Sequence, residues 1–121
     1  MEWTIEYLEE ESILSVKTKG ILTAASANEM IKAIVLAMAH YQCTAQIVDH
    51  RETNSTLTVS EYYRRPEINE QLGISRTWKI AMLFKELNAD TAFMENVFRN
   101  RGFNFRVFAD PRQAKTWVTD E

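Results

Sequence analysis

The chain has 121 residues, a length that suits one domain over residues 1–121 with a core large enough to fold without disulfides or metals. Its net charge of −3 argues against nucleic-acid binding, which requires a basic excess. The single cysteine, Cys43, excludes an internal disulfide, and the longest apolar run, Ala33–Ala39, is too short for a membrane span. Met1–Ile5 lacks the basic and apolar segments of a signal peptide, so we expect a cytoplasmic protein.

A β-hairpin is predicted at the start of the chain. Apolar and polar residues alternate over Glu2–Leu8 and again over Ile13–Thr18, which is typical of half-buried strands. The charged turn Glu9–Ser12 joins the two segments and is short. We therefore expect antiparallel pairing, with the first strand at an edge of the sheet.

A helix and a central strand are predicted after the hairpin. Ser26 and Glu29 match a capping box, in which both side chains satisfy free backbone N–H groups. The apolar residues that follow recur at helical spacing and predict the buried face of the helix: Met30, Ile31, Ile34, Val35 and Met38. The apolar segment Ala45–Asp49 then predicts a strand that ends at Asp49.

Thr58 and Glu61 form a second capping box and predict a second helix. Pro66 is expected to break or restart this helix, because proline has no backbone N–H. Gly73 is expected to end it. The apolar segment Trp78–Phe84 then predicts a buried strand.

The last third of the chain predicts a helix, a strand and a helix. Asp90–Arg101 has an apolar stripe at helical spacing, formed by Phe93, Met94, Val97 and Phe98. Phe103–Phe108 predicts a strand, and Asp110 caps a final helix that has Pro111 at its first position. The full order β-β-α-β-α-β-α-β-α predicts an α/β fold with a five-stranded, mostly parallel sheet and four helices. Such folds place their working surface beyond the carboxyl ends of the strands.

The first candidate site is the segment from Asp49 to Thr58, which is expected to form a loop between the central strand and the second helix. A helix N-terminus at this place favours a bound anion or a phosphorylated hydroxyl. The candidate partner-binding or anion-binding residues are Asp49, His50, Arg51, Ser55 and Thr58. The alternative interpretation is a solvated polar loop whose only function is to cap the helix.

His50 is also a candidate for catalysis or metal binding. A neighbouring carboxylate such as Asp49 could orient it as a general base. However, adjacent strand residues face opposite sides of a sheet, so Asp49 and His50 do not point together. His40, Cys43 and His50 do not match any zinc-binding spacing. We predict no catalytic residue, no metal site and no cofactor.

Tyr62 and Tyr63 are candidates for partner contact. Two adjacent tyrosines cannot both face inward from a helix, so at least one is expected to be exposed. Arg64 and Arg65 follow them and could add charge to such a contact. The alternative is a half-exposed helix whose amphipathic side chains lie along the surface. Leu36 or Tyr41 could similarly provide an apolar contact for a homodimer.

The order of elements resembles that of the SpoIIAA-like domain, also called the STAS domain. The resemblance is most specific over Asn96–Phe103, Val107–Asp110 and Ala114–Val118. There a helix, a glycine, a strand that ends in phenylalanine, an acidic turn and an Ala…Trp helix follow one another as in bacterial SpoIIAA-like proteins. The resemblance implies a SpoIIAA-like β/α superhelix, and it is closest to the uncharacterised bacterial branch.

The resemblance also bears on the site. The family includes anti-sigma-factor antagonists, partner-switching regulators and domains of anion transporters. In the antagonists a phosphorylatable serine follows an aspartate at the end of the central strand. Asp49 matches that aspartate, but His50 stands in the place of the serine. Ser55 or Thr53 could take its place only if the loop is longer.

Three hypotheses about function follow. The first is a non-enzymatic regulatory module that binds a protein through Asp49–Tyr63, with Ser55 as a candidate for phosphorylation. The second is a carrier of a small apolar ligand or lipid, suggested by aromatic residues near the later strands and by a fold analogy with Sec14-type proteins. The third is an enzyme that uses Asp49, His50 or Lys85.

Overall fold

The computed structural model describes residues 1–120, which form a five-stranded sheet and four helices. The strands are β1 (Glu2–Leu8), β2 (Ile13–Leu22), β3 (Ala45–Ser55), β4 (Lys79–Leu83) and β5 (Asn104–Phe108). The helices are α1 (Ala24–Tyr41), α2 (Val59–Gln71), α3 (Ala89–Asn100) and α4 (Pro111–Thr119). Within residues 1–120, no helix has both the length and the hydropathy that crossing a bilayer requires.

The strand order in the sheet follows the chain, β1-β2-β3-β4-β5. β1 pairs antiparallel with β2, and each later pair of neighbours is parallel. This confirms the predicted α/β fold, with a mostly parallel sheet and an antiparallel edge strand. The parallel pairing also brings the carboxyl ends of β2, β3, β4 and β5 to the same edge of the sheet, where a site is expected.

Alternation along the strands divides the core between the two faces of the sheet. One face packs against α1 and α3, and its buried residues include Leu14, Val16, Val48, Ile80, Met82, Met30, Ile34, Met94 and Phe98. The opposite face packs against α4, and its buried residues are Ile13, Ala81, Leu83, Phe108, Ala114 and Val118. α2 packs mainly against α1 and α3 and contacts the strands less. The sheet beneath α2 is therefore less tightly covered than the sheet beneath its neighbours.

The helix starts follow local hydrogen bonding. In α2 the predicted capping box is confirmed, since Glu61 N–H donates to Thr58 Oγ1 and Thr58 N–H donates to Glu61 Oε1. Asp110 caps α4 with Pro111 at its first position, as predicted. The predicted start of α1 was wrong, because Thr23 is the N-cap and Ser26 is its reciprocal partner. The hydroxyl of Ser26 accepts from Thr23 N–H, so the helix begins before Ser26.

Two predictions about the helices are corrected by burial. α2 continues through Pro66 to Gln71 instead of breaking, and the Pro66 side chain is less than 2% exposed. Burial of the apolar ring offsets the hydrogen bond that its missing N–H cannot make. Phe93 was predicted in the buried stripe of α3 but is 37% exposed. The buried face of α3 is formed by Thr91, Met94, Val97 and Phe98, and Phe93 lies outside it.

The predicted end of the central strand was also wrong. β3 does not stop at Asp49 but continues to Ser55, so most of the expected loop is strand. β3 is longer than predicted because the neighbouring strand β2 continues to Leu22 and pairs with it. The paired residues run from Lys19 opposite Glu52 to Leu22 opposite Ser55. A backbone ladder of this kind satisfies the N–H and C=O groups whatever the side chains are.

A register shift in this extension decides which side chains face α2. Lys17 pairs with Asp49 but Lys19 pairs with Glu52, so β3 has an additional residue opposite Thr18. In a strand without the shift, His50 would share its face with Glu52. The additional residue reverses the alternation after His50, as a β-bulge does, and brings Thr53 to the same face as His50.

Gly73 ends α2 in a conformation that disfavours a side chain. Its φ is +113°, and a Cβ at this position would lie 2.8 Å from Val35 Cγ1 of α1. We predict that Gly73→Ala lowers the free energy of unfolding by about 1 to 3 kcal/mol, through backbone strain and the clash together. Urea unfolding followed by circular dichroism measures the change.

Gly102→Ala is the matched control for this prediction. Gly102 also has a positive φ, of +88°, but a Cβ there would meet only the flexible side chain of Arg76 at 3.5 Å. We therefore expect a smaller loss of stability for Gly102→Ala. We also expect Gly73→Ala to cost less stability in a Val35→Ala background than in the wild type, because the clash is then absent. Equal losses in the two glycine variants would show that the Val35 contact has no effect.

Candidate functional site

A cavity of about 60 Å³ lies at the carboxyl ends of β2, β3 and β4, on the face of the sheet that carries α1, α2 and α3. Most of its lining is apolar: Leu22, Ala27, Met30, Ile31, Leu57, Met82, Phe84, Met94 and Phe98. Its polar lining consists of His50, Thr53, Ser55, Tyr62, Arg65 and Asn69. The cavity is at the place where a sheet of this topology is expected to bind a ligand.

The hydroxyl of Thr18 organises the polar end of the cavity. Its Oγ1 lies 2.6 Å from Nδ1 of His50, 2.6 Å from Oγ1 of Thr53 and 3.1 Å from the carbonyl oxygen of Asp49. Thr18 and His50 are both buried. The register shift makes this network feasible, because it turns His50 and Thr53 to the same face beside a single threonine.

His50 is held as a neutral ring. Burial disfavours its charged form and lowers its pKa to about 4, although the nearby carboxylate of Asp49 acts in the opposite direction. The ring packs beside Phe84, with 5.9 Å between the ring centroids. Within residues 1–120, Nε2 has no hydrogen-bond partner, whereas Nδ1 contacts Thr18. The imidazole can therefore offer one hydrogen bond to a molecule in the cavity.

Arg65 enters the cavity from α2. Its residue surface is only 5% exposed. Nη1 donates to Asn28 Oδ1 of α1 and Nη2 donates to Asn69 Oδ1, both at 2.7 Å. Burial lowers the pKa of the guanidinium, and Glu61 one turn earlier opposes this effect. The two amides orient the guanidinium, and the bond to Asn28 joins α2 to α1, but neither amide carries a negative charge.

The mouth of the cavity is formed by side chains that are partly exposed. Ser55 Oγ and Tyr62 Oη are 2.5 Å apart, and Ser55 Oγ also accepts from the N–H of Leu57. Thr58 begins α2 directly after this contact. The end of β3 and the start of α2 are therefore fixed to one another across the opening.

Asp49 and Arg51 lie on the other face of the sheet. Arg51 donates to both carboxylate oxygens of Asp49, with Nη2 2.8 Å from Oδ2. Burial opposes ionisation of Asp49, yet its hydrogen bonds with Arg51 and the charges of Arg51 and Lys17 lower its pKa. Lys85 is exposed beside the same group. As predicted, Asp49 and His50 do not point together.

Of the adjacent tyrosines, Tyr62 turns toward the cavity and Tyr63 is 56% exposed. This confirms that at least one is exposed. Neither Thr18 nor Asn69 was predicted as a site residue, and Arg65 was predicted as a surface charge. A signal for Arg65 was present, since Tyr62, Arg65, Pro66 and Asn69 recur at helical spacing and form the inner face of α2.

The fold is shared with solved structures. An uncharacterized protein of the DUF3478 family from Shewanella loihica PV-4, which has a SpoIIAA-like fold, is 19% identical, with a TM-score of 0.64 and coverage of 97% of this chain and 92% of that chain. The anti-sigma factor antagonist SpoIIAA, in its unphosphorylated form, is 17% identical, with a TM-score of 0.57 and coverage of 99% of this chain and 100% of that chain. No family model and no curated protein matches the sequence. The chain has the SpoIIAA-like fold, as the order of its elements predicted.

The depressed pKa of His50 predicts how stability depends on pH. The unfolded chain binds a proton at this residue below about pH 6.5, whereas the folded chain does so only below about pH 4. Neutral His50 therefore makes its full contribution to the free energy of unfolding above pH 6.5. This contribution decreases by roughly 3 kcal/mol in total as the pH falls toward 4. Urea unfolding at a series of pH values measures this loss.

His50→Gln should flatten the pH dependence between 6.5 and 4, since the glutamine does not titrate. His40→Gln is the matched control, because it removes the exposed histidine at the end of α1. An equally steep acid loss in His50→Gln and in the wild type would contradict a neutral buried imidazole at this position.

Proposed function

We propose that this chain is a regulatory module without enzymatic activity, which binds another protein through the start of α2. The observation that carries the proposal is the exposure of Val59 and Tyr63, at 68% and 56%. These residues are four apart in a helix, so they lie on the same face. Exposed apolar and aromatic side chains grouped in this way are typical of protein contacts. We call Thr58, Val59 and Tyr63 the α2 surface.

The packing of Tyr63 supports a contact of this kind. The guanidinium of Arg101 lies over its ring, 5.2 Å from the centroid. A cation–π contact of this type restrains the side chain before a partner arrives, so less conformational entropy is lost on binding. The fold points in the same direction, since SpoIIAA has it and is an anti-sigma factor antagonist.

We assign different functions to the candidate residues. Tyr63 and Thr58 belong to the α2 surface, whereas His50 and Tyr62 act from within by supporting it. Asp49 and Arg51 face away from α2 and fix each other on the opposite side of the sheet. We further propose that residues 1–121 are one domain that works in the cytoplasm, as its composition suggests.

Replacement of Tyr63 by alanine tests the proposed contact. We predict that Tyr63→Ala weakens binding of the partner roughly tenfold or more, because buried aromatic anchors dominate many interfaces. Proteins captured by the tagged chain from its own cells are identified by mass spectrometry. The affinity of the purified partner for each variant is then measured by calorimetry.

Leu36→Ala is the matched control, since Leu36 is 73% exposed on α1, away from the α2 surface. Thermal unfolding of both variants separates a lost contact from a lost fold. The proposal fails if Tyr63→Ala binds every captured partner as tightly as the wild type does, or if Leu36→Ala loses the same affinity.

Ser55 is the proposed position for control by phosphorylation. It is exposed, and its Oγ is shared between Tyr62 Oη and the N–H of Leu57. A phosphate at this position would separate Ser55 from Tyr62 and place negative charge near the N-terminus of α2, which favours anions. Thr53 is less accessible, because its hydroxyl is bonded to Thr18.

We predict a phosphate-sized mass increment in the chain purified gently from its own cells, and its loss in Ser55→Ala. Intact-mass spectrometry measures both. Thr53→Val is the control and should keep the increment. An increment that persists in Ser55→Ala, or that is absent from the wild type under every growth condition, would refute phosphorylation at Ser55.

The size of the cavity bears on the carrier hypothesis. Sites for drug-sized ligands occupy on the order of 300–1,000 Å³, whereas this cavity measures about 60 Å³. A lipid tail would therefore require α2 to move away from the sheet. Homodimerisation stays a separate prediction, and within one chain Tyr41 already stacks on Tyr7, with 4.3 Å between ring centroids.

A further inference from the structure

The cavity beneath α2 contains a feature that protein binding at the α2 surface does not require. Arg65 is 5% exposed and lines the cavity, yet its two hydrogen-bond acceptors, Asn28 and Asn69, are neutral amides. Within residues 1–120, its guanidinium has no carboxylate within 4.0 Å. The cavity lining includes no aspartate or glutamate. The cavity therefore contains a positive charge without a counter-ion.

A buried guanidinium without a counter-ion lowers the stability of the fold unless a negatively charged group compensates its charge. The guanidinium has five N–H donors in a fixed plane. Asn28 and Asn69 accept from one N–H on each terminal nitrogen. Glu61 is the acidic neighbour on the same helix, but its carboxylate caps α2 through Thr58 N–H. The remaining donors suit a planar acceptor that carries a negative charge.

We propose that the cavity binds a small monocarboxylate, with its carboxylate on Arg65 and its short aliphatic tail against Met30, Met82 and Met94. These three methionines are buried and line the cavity from α1, β4 and α3. Flexible thioether side chains adapt well to small apolar groups. The neutral ring of His50 supplies a hydrogen-bonding group without adding a second charge.

The composition of the lining favours one class of anion. A phosphate dianion would call for more than one cation, and Arg65 is the only arginine or lysine in the lining of this cavity, as described for residues 1–120. The apolar side chains that form most of the wall would also be left against water or charge. A monocarboxylate with a hydrocarbon tail satisfies both parts of the lining.

The volume sets the length of the tail. A bound water requires about 10–15 Å³ on this scale, so 60 Å³ holds roughly four to six non-hydrogen atoms. Propionate and butyrate, with about five and six such atoms, therefore match the volume of the cavity. Longer acids would have to displace the contact between Ser55 and Tyr62 at the mouth.

The inference is tested by titrating the full chain with sodium butyrate and following its ¹H–¹⁵N spectrum at constant ionic strength. We expect saturable shifts at His50, Thr53 and Arg65, with a dissociation constant on the order of 0.1–1 mM for a ligand of this size. Butyramide has nearly the same shape without the charge. It should bind at least about tenfold more weakly.

Two arginine variants distinguish binding of butyrate to the buried charge of Arg65 from nonspecific attraction of the anion to the charge of the protein. Arg65→Met removes the guanidinium and should reduce butyrate affinity about tenfold or more. Arg64→Met is the matched control, because it changes the net charge equally at the neighbouring, exposed residue. It should keep wild-type affinity. If Arg65→Met does not fold, Ala27→Leu fills the cavity with every charge retained, and it should also abolish binding.

Three results would overturn the inference. One is the absence of saturable shifts up to about 50 mM butyrate, well above the expected dissociation constant. Another is equal affinity for butyrate and butyramide, which would indicate an apolar cavity that ignores charge. The third is an equal loss in Arg64→Met and Arg65→Met. Butyrate binding and the α2 surface use different residues, so failure of one leaves the other intact.

Discussion

The hydroxyl of Thr18 is the interaction on which the interior of the site depends. It contacts the His50 ring and the Thr53 hydroxyl on the inner side of β3, and it donates to the backbone carbonyl of Asp49. These groups meet because β3 has one more residue than β2 opposite Thr18. Without that residue, the alternation of the strand would carry Glu52 into the apolar interior and Thr53 to the outside. The register shift therefore decides the chemistry of the cavity.

The second constraint is the buried guanidinium of Arg65. Its hydrogen bond to Asn28 holds α1 and α2 together, and its bond to Asn69 fixes the guanidinium on α2. Neutral side chains of similar length could pack there without a charge. A charge that is retained at a cost to stability is a frequent feature of binding sites. Because α2 packs mainly on its neighbouring helices, Arg65 can extend beneath it over the sheet.

The proposed protein contact and the proposed ligand cavity are neighbours on the same helix. Val59 and Tyr63 face outward from the start of α2, while Tyr62 and Arg65 face inward from it. The contact between Ser55 and Tyr62 connects the two sides, since it spans the mouth of the cavity directly before the exposed turn. Modification of Ser55, or a longer ligand that separates Ser55 from Tyr62, would therefore alter the α2 surface through the side chain of Tyr62.

The sequence by itself determined the elements of this protein and their order, because period-two and period-3.6 patterns, the capping residues Thr58 and Asp110 and the placement of glycines are local properties. These were enough to predict the α/β fold, the mostly parallel sheet and its resemblance to SpoIIAA. Local patterns failed where a neighbour decided the outcome. Polar residues after Asp49 form strand because β2 pairs with them, and Pro66 stays in a helix because its ring is buried.

The site was visible from the sequence only in part. His50, Ser55 and Tyr62 were identified, but as members of an exposed segment, and Thr18 and Asn69 were not identified at all. Which face a residue occupies after Asp49 depends on an additional residue in the pairing with β2, and no pattern within β3 contains that information. Arg65 looks like a surface charge until three helices enclose it. Only tertiary structure decides burial of this kind, since burial is a property of what packs around a residue.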